Sequence, residues 1–158
     1  MYQRILVPVD GSATSTCGLD EAIKLAKLTG ASLRLIHVVD AMTITTGLLP
    51  SAHYGDEVPP EKKEAGQQIL EHARTRVAAN GVNVDTFLFD SVLPRVSETV
   101  VEQANAWNAD LIVIGTHGRR GVGRVLLGSD AEQIVRMAPV PVLLVRAPEV
   151  EGKADTVM

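Results

Sequence analysis

A single cysteine, Cys17, stands in a chain of 158 residues. That excludes an internal disulfide and any zinc site built from several cysteines, and it leaves Cys17 to read as a small residue packed along a helix. Aromatic residues are also scarce, at 3%, so the stacking platforms that single-stranded nucleic acids use are missing. Positive charge is not in excess: the formal net charge is -4, which offers no footprint for a nucleic-acid partner. No apolar run approaches the ~20 residues that a membrane-spanning helix needs. The opening "MYQRILVPVD" is too short in its apolar run for a signal peptide. The expectation is a cytoplasmic protein in reducing surroundings, with no nucleic-acid and no membrane partner.

What is abundant is aliphatic. Hydrophobic residues make up 46% of the chain, and a core built from Val, Leu, Ile and Ala suits helices packed on a buried sheet. Five short runs read as strands: "RILVPV", "SLRLIHVV", "VDTFLF", "DLIVIG" and "PVLLVR". Helical patterns separate them. The first, about 14–29, stripes Leu19, Ala22, Ile23 and Ala26 and stops at Gly30. The second begins at "VPPEKK", places Ala65, Ile69, Ala73 and Val77 inward and stops at "NG". A third from about Pro94 turns Val96, Val100, Ala104 and Trp107 inward, and a fourth, about 129–137, opens with Ser129 and Glu132 at capping-box spacing. Strands alternating with helices predict an α/β fold: one open parallel sheet with helices on both faces. Residues 1–147 are expected to form one domain with a long loop at about 41–58, and 148–158 a disordered tail.

Immediately after "DLIVI", the stretch "GTHGRRGVGRVLLGS" places five glycines and three arginines in fifteen residues. Glycines there either let a ligand lie against the backbone or permit unusual turns, and the cations favour an anionic ligand. A Walker-type loop is excluded, because "GRRGVGRV" has Arg124 and Val125 where that loop needs lysine and a hydroxyl. A dinucleotide fingerprint from Gly121 fails at Leu126. Strand one ends in "VPVDGSATS", which adds Asp10, Gly11 and small hydroxyl residues. In open α/β sheets, ligands sit beyond the carboxyl ends of the strands.

Gly115, two residues, Gly118, nine residues, then Gly128 and Ser129 is the spacing of the ATP-binding universal stress proteins. The chain resembles that family from "RILVPVDGS" through "LIHVVD" and "ADLIVIGTHG" to "APVPVLLVR". The resemblance implies an adenine nucleotide alpha hydrolase-like fold with five parallel strands in the order 3-2-1-4-5. It also implies a site on Pro8, Asp10, Val38, Gly115, His117, Gly118, Gly128 and Ser129. In that site the Val38 backbone meets adenine, Asp10 lies near ribose and metal, and the glycine loop wraps ribose and phosphates. The cofactor implied is ATP, ADP or AMP, with Mg or Mn as an accompanying ion. Arg119, Arg120 and Arg124 offer charge-assisted contacts, of which only some can face inward from one loop, and Asp130 stands in the first turn where a phosphate would arrive. The same resemblance implies a homodimer through the strand at about 141–146.

Each residue also has a plainer reading. Ser129 serves as a helix cap or as cap and phosphate contact together, and Asp10 caps the first helix with Ser12 or contacts ribose and metal. His117 satisfies a loop carbonyl, and His37 is packed or paired within its strand. Asp130 either faces the phosphates, which then requires a divalent cation, or faces solvent and serves the helix dipole; the solvent-facing arrangement is the expectation. No water-positioning residue is evident, so slow or absent hydrolysis is expected. Two alternatives stand beside an ATP-binding stress-response regulator: a dimeric interaction module without nucleotide, and an adenylyl-transfer enzyme. For the latter, "VDGSATS" lacks both a histidine pair and a Ser-Gly-Gly loop.

Overall fold

The computed structural model describes residues 1–39, 58–90, 95–116 and 127–148. The expected alternation is present: β1 (Arg4–Pro8), α1 (Ala13–Thr29), β2 (Ser32–Val38), α2 (Pro60–Ala79), β3 (Val84–Phe89), α3 (Val96–Ala106), β4 (Leu111–Thr116), α4 (Ser129–Met137) and β5 (Val142–Arg146). All pairings are parallel, and the sheet order is β3-β2-β1-β4-β5.

Alternation along the central strands divides the core in two. Ile5, Val7, Leu33 and Leu35 bury against Leu19, Ala22, Ile23 and Ala26 of α1 and Leu70, Ala73 and Val77 of α2. Leu6, Ile36, Ile112 and Ile114 bury on the opposite face against Val100 and Ala104 of α3 and Ile134 of α4. Because β1 and β4 are covered on both sides, they are apolar at nearly every position, while β2 carries Ser32, Arg34 and His37 among its apolar residues. Helix α1 stops where expected: Gly30 adopts φ 76° and its N–H donates to Ala26 O at 2.8 Å, a left-handed turn that favours glycine.

One expected face is rotated. The inward stripe of α2 is Gly66, Leu70, Ala73 and Val77, while Ala65 is exposed and Ile69 half-buried. One residue is a turn of about 100° on a helix, enough to move Ala65 and Ile69 off the sheet. On α3 the expected face is inward: Val100 and Ala104 are buried, Val96 and Trp107 pack partly buried against the same core, and Ser97 and Thr99 are buried as well. The Trp107 ring also lies under the Arg34 guanidinium at 4.7 Å, and Arg34 donates from Nε and Nη2 to Asp85 at 2.8 and 2.7 Å. The hydrogen bond to Asp85 raises the Arg34 pKa further above its ordinary value.

Candidate functional site

The site begins where two central strands part. At their amino ends β1 and β4 are tied by Asp110, whose Oδ2 accepts from the Gln3 N–H at 2.7 Å and whose Oδ1 accepts from the Arg4 N–H at 3.1 Å. The Asp110 N–H returns a bond to Arg4 O at 2.9 Å. Backbone groups alternate sides along a strand, so with Arg4 facing β4, Leu6 and Pro8 face it too. Pro8 has no N–H to give. The β1–β4 register accordingly ends at Leu6↔Ile112, although β1 continues beside β2 to Pro8↔Ile36. Beyond that point the strands separate and a cleft of about 590 Å³ opens at the carboxyl end of the sheet, at the reversal of strand order.

The turn from β1 into α1 forms one wall. Asp10 Oδ1 accepts from the Ser12 N–H at 2.8 Å, the Ser12 hydroxyl accepts from the Ser15 N–H at 3.1 Å, and the Asp10 N–H donates to Ser15 Oγ at 3.1 Å. Ser12 is therefore the cap of α1, and Asp10 holds the capping residue in place through a turn of its own. The Asp10 side chain remains exposed at the cleft.

The facing wall is the start of α4. Here the expected capping box is corrected: Gly128 is the N-cap residue (φ -58°, ψ 152°) and Ser129 is already the first helical residue, with no side-chain cap bond. A capping hydroxyl must stand on the residue with extended backbone just before the helix, and Gly128 occupies that place. The Glu132 carboxylate, which a capping box would turn back to the cap, pairs with Arg136 at 2.8 Å. Gly128, Ser129 and Asp130 all line the cleft. Asp130 is exposed and stands among the residues that border the cleft.

Gly115 has an unexpected reason for being glycine. A Cβ built there would collide with the Thr14 carbonyl oxygen and come within 2.7 Å of the Thr14 carbonyl carbon, while a Cβ on Gly18 would lie 2.6 Å from the Gly115 nitrogen. These two glycines let the first turns of α1 lie directly on β4. What rests against the backbone at Gly115 is the start of α1, a reason for glycine that the sequence did not show, and the same residue also borders the cleft.

Pro8, Asp10, Val38, Gly115, Gly128, Ser129 and Asp130 thus all border one cleft. His117, Gly118 and Arg119 lie outside the described residues, as do Arg120 and Arg124, the loop at 41–57 and the tail from 149. Sequence reasoning missed the contribution of α2, which brings Lys62, Ala65 and Ile69 to the cleft, and of Val96 on α3. The available signal was the second apolar stripe on α2, displaced by one residue from the buried one. The start of α2 is anchored by Lys63, which pairs with Asp90 after β3 at 2.7 Å. That hydrogen bond holds the Asp90 carboxyl below its ordinary range and raises Lys63. Among the described residues no group of three or more His, Cys, Asp or Glu is placed to hold a metal ion, and no helix is long and apolar enough to cross a membrane.

A parallel sheet in this order, with its cleft between the first and fourth strands, defines an α/β protein of the adenine nucleotide alpha hydrolase-like class. The universal stress protein family model matches residues 1–146, and the chain belongs to that family. A universal stress protein of Methanocaldococcus jannaschii is 35% identical over 151 residues, covering 96% of this chain and 86% of that one. YxiE of Bacillus subtilis, also a universal stress protein, is 32% identical and covers 92% of this chain and 100% of its own. Among solved structures, a member of the family from Burkholderia pseudomallei superposes with a TM-score of 0.70 at 34% identity, over 92% of this chain and 97% of that one. Two more distant structures share the fold. One is a universal stress protein in complex with cAMP (TM-score 0.65, 24% identity, 93% and 98% covered). The other is from Archaeoglobus fulgidus in complex with dAMP (TM-score 0.67, 21% identity, 91% and 98% covered).

Proposed function

We propose that the chain is a stress-response regulatory protein that binds an adenine nucleotide, ATP in the first place with ADP or AMP as alternatives, and hydrolyses it slowly or not at all. The observation that carries this reading is the parting of β1 from β4 at Pro8, which brings Asp10, Val38 and the start of α4 to one cleft. Its chemistry is divided in a way that suits a nucleotide. Toward β2, α2 and α3 the walls present Val39, Ala65, Ile69 and Val96, with Lys62 at the start of α2, and this end takes the base. At the other end the backbone amides at the start of α4 and the hydroxyls of Ser12, Ser15 and Ser129 take ribose and phosphates. The universal stress proteins solved with cAMP and dAMP support an adenine ligand.

Asp10 and Asp130 bring two carboxylates to the same cleft, so a triphosphate requires a divalent ion, Mg or Mn, held jointly by phosphate and carboxylate oxygens. His117, Gly118 and Arg119 complete the phosphate end in this reading. Those carboxylates are also what favours the second reading, a dimeric module of the same fold that binds no nucleotide. Assembly belongs to both readings. β5 is an edge strand with Leu143 and Leu144 36% and 37% exposed. An unpaired apolar edge of this kind suits two-fold pairing with a second copy.

The test is to heat-denature the purified protein and identify released small molecules by chromatography, followed by calorimetric titration with ATP, ADP and AMP, with and without Mg or Mn. An adenine nucleotide in the supernatant, or metal-dependent binding, is the expected result. No release and no binding of any of the three would overturn the nucleotide reading and leave the interaction module.

A further inference from the structure

His37 stands one residue before the end of β2, half-buried, with its Nδ1 2.7 Å from the Val9 carbonyl oxygen. A carbonyl only accepts, so Nδ1 carries the hydrogen and donates it. The position of this bond in the sheet matters. The Val9 N–H donates to Ile36 O at 2.8 Å. In a parallel ladder, a residue that donates to Ile36 O receives in return the N–H of the residue two further on. Val38 N–H to Val9 O is therefore the next rung. It is not made: β1–β2 pairing ends at Pro8↔Ile36, and among the described residues the partner of Val9 O is the His37 ring. Since the Val39 N–H is used toward β3, on Phe89 O at 2.9 Å, the polar groups of Val38 point the other way, past the end of β1 and into the cleft.

We propose that His37 is a positioning residue of the nucleotide site: its ring takes the acceptor that the Val38 amide would otherwise claim, and so leaves that N–H available to the ligand. The ring is held for this task by α2, which passes so close that a Cβ on Gly66 would lie 2.8 Å from His37 Cδ2. His37 need not touch the ligand. The proposal rests on the nucleotide reading above for the identity of the ligand, whereas the exchange of partners on Val9 O is independent of it.

Three substitutions separate this role from simple packing. Asparagine carries an N–H close to the place of Nδ1, glutamine carries its own nearer the place of Nε2, and valine carries none. His37→Asn is expected to keep ATP affinity within about twofold of the parent, while His37→Gln and His37→Val lose about tenfold, the worth of roughly one hydrogen bond. In nucleotide-free protein, amide exchange at Val38 is expected to be fast in the parent and in His37→Asn and slowed in His37→Val, where the rung can close. The wild-type ring is expected to be the Nδ1–H tautomer by nitrogen NMR at neutral pH, a measurement that stands even where a variant fails to fold. An Nε2–H tautomer, a protected Val38 amide in the parent, or equal loss of affinity in the Asn and Gln variants would overturn the proposal. A parent that binds no ATP would remove the nucleotide reading, while tautomer and exchange still decide whether His37 frees the Val38 amide.

Discussion

Gly115→Ala adds one methyl group at the point where α1 crosses β4, and every atom it meets is backbone. The Thr14 carbonyl oxygen overlaps it, the Thr14 carbonyl carbon stands at 2.7 Å and the Ser15 nitrogen at 3.2 Å. Carbon contacts relax near 3.5–4.0 Å, so the helix must retreat by roughly 1 Å. It is not free to do so, because Leu19, Ala22, Ile23 and Ala26 fix it to the sheet. Overpacking costs typically ~1–3 kcal/mol, and with no flexible side chain to yield the expected loss is about 3 kcal/mol. Gly18→Ala meets the same contact from the helix side, 2.6 Å from the Gly115 nitrogen and 3.1 Å from its Cα. Replacing a glycine inside a helix returns about 1 kcal/mol of helix propensity, so its net loss is about 1–2 kcal/mol. Urea unfolding followed by circular dichroism measures both, and for a chain of this size Gly115→Ala should lower Tm by roughly 6–12 °C. A Gly115→Ala protein within ~0.5 kcal/mol of the parent, or less destabilised than Gly18→Ala, would refute the close-approach account.

Other changes probe the remaining parts. Pro8→Ala restores an amide facing β4, so one more β1–β4 rung forms and the cleft narrows. Amide exchange should show a protected residue 8 and calorimetry weaker ATP binding. Stability should change by under ~1 kcal/mol, because the gained bond offsets the lost rigidity of proline. The Pro141 carbonyl accepts from Ile112 and the Ala147 N–H donates to Thr116, so Leu143 faces β4 and Leu144 faces the free edge. Leu144→Pro should therefore give a folded monomer in light scattering, whereas Leu143→Pro should cost about 3 kcal/mol or more of fold stability. For Asp90, folded-state depression by Lys63 means that its contribution is present above the ordinary carboxylate pKa and lost as pH falls through the depressed value. Carbon NMR should place its midpoint below that of an unpaired aspartate, and Lys63→Met should return it. Asp130→Asn should strengthen ATP binding in chelator by about two- to tenfold and much less with Mg, because a partly exposed repulsion is screened. Equal binding with and without metal in both proteins would place Asp130 outside the phosphate field.

The elements were legible because their periods are local: strands and helices can be read within a window of ten residues, and Gly30 announces its own turn. Strand order was not legible from pattern and entered only through the family resemblance. Partners distant in sequence decided what else stayed hidden. Gly115 is glycine because of Thr14, about a hundred residues earlier, and nothing beside it in the chain distinguishes a glycine cleared for a ligand from one cleared for a helix. Ser129 lost its expected cap role to Gly128 through a shift of one position, the same scale of error as the stripe on α2. Both shifts fall at the cleft, where the chain is shaped by what it faces across the opening more than by its own periodicity.

Pro8 shows how far a single non-local bond reaches. A proline in a strand says only that one side of the ladder loses a rung. Which side depends on parity, and parity is set at the other end of β1, where Arg4 O accepts from Asp110. Toward β2 the missing amide would have shortened the β1–β2 ladder and disturbed Val9, His37 and Val38. Toward β4 it does something else: it ends the pairing of the two central strands after Leu6↔Ile112 while leaving Val9 bonded to Ile36 O and the His37 ring. The cleft therefore follows from one register between β1 and β4, whereas the partner of Val9 O is decided on the β2 side, by the His37 ring.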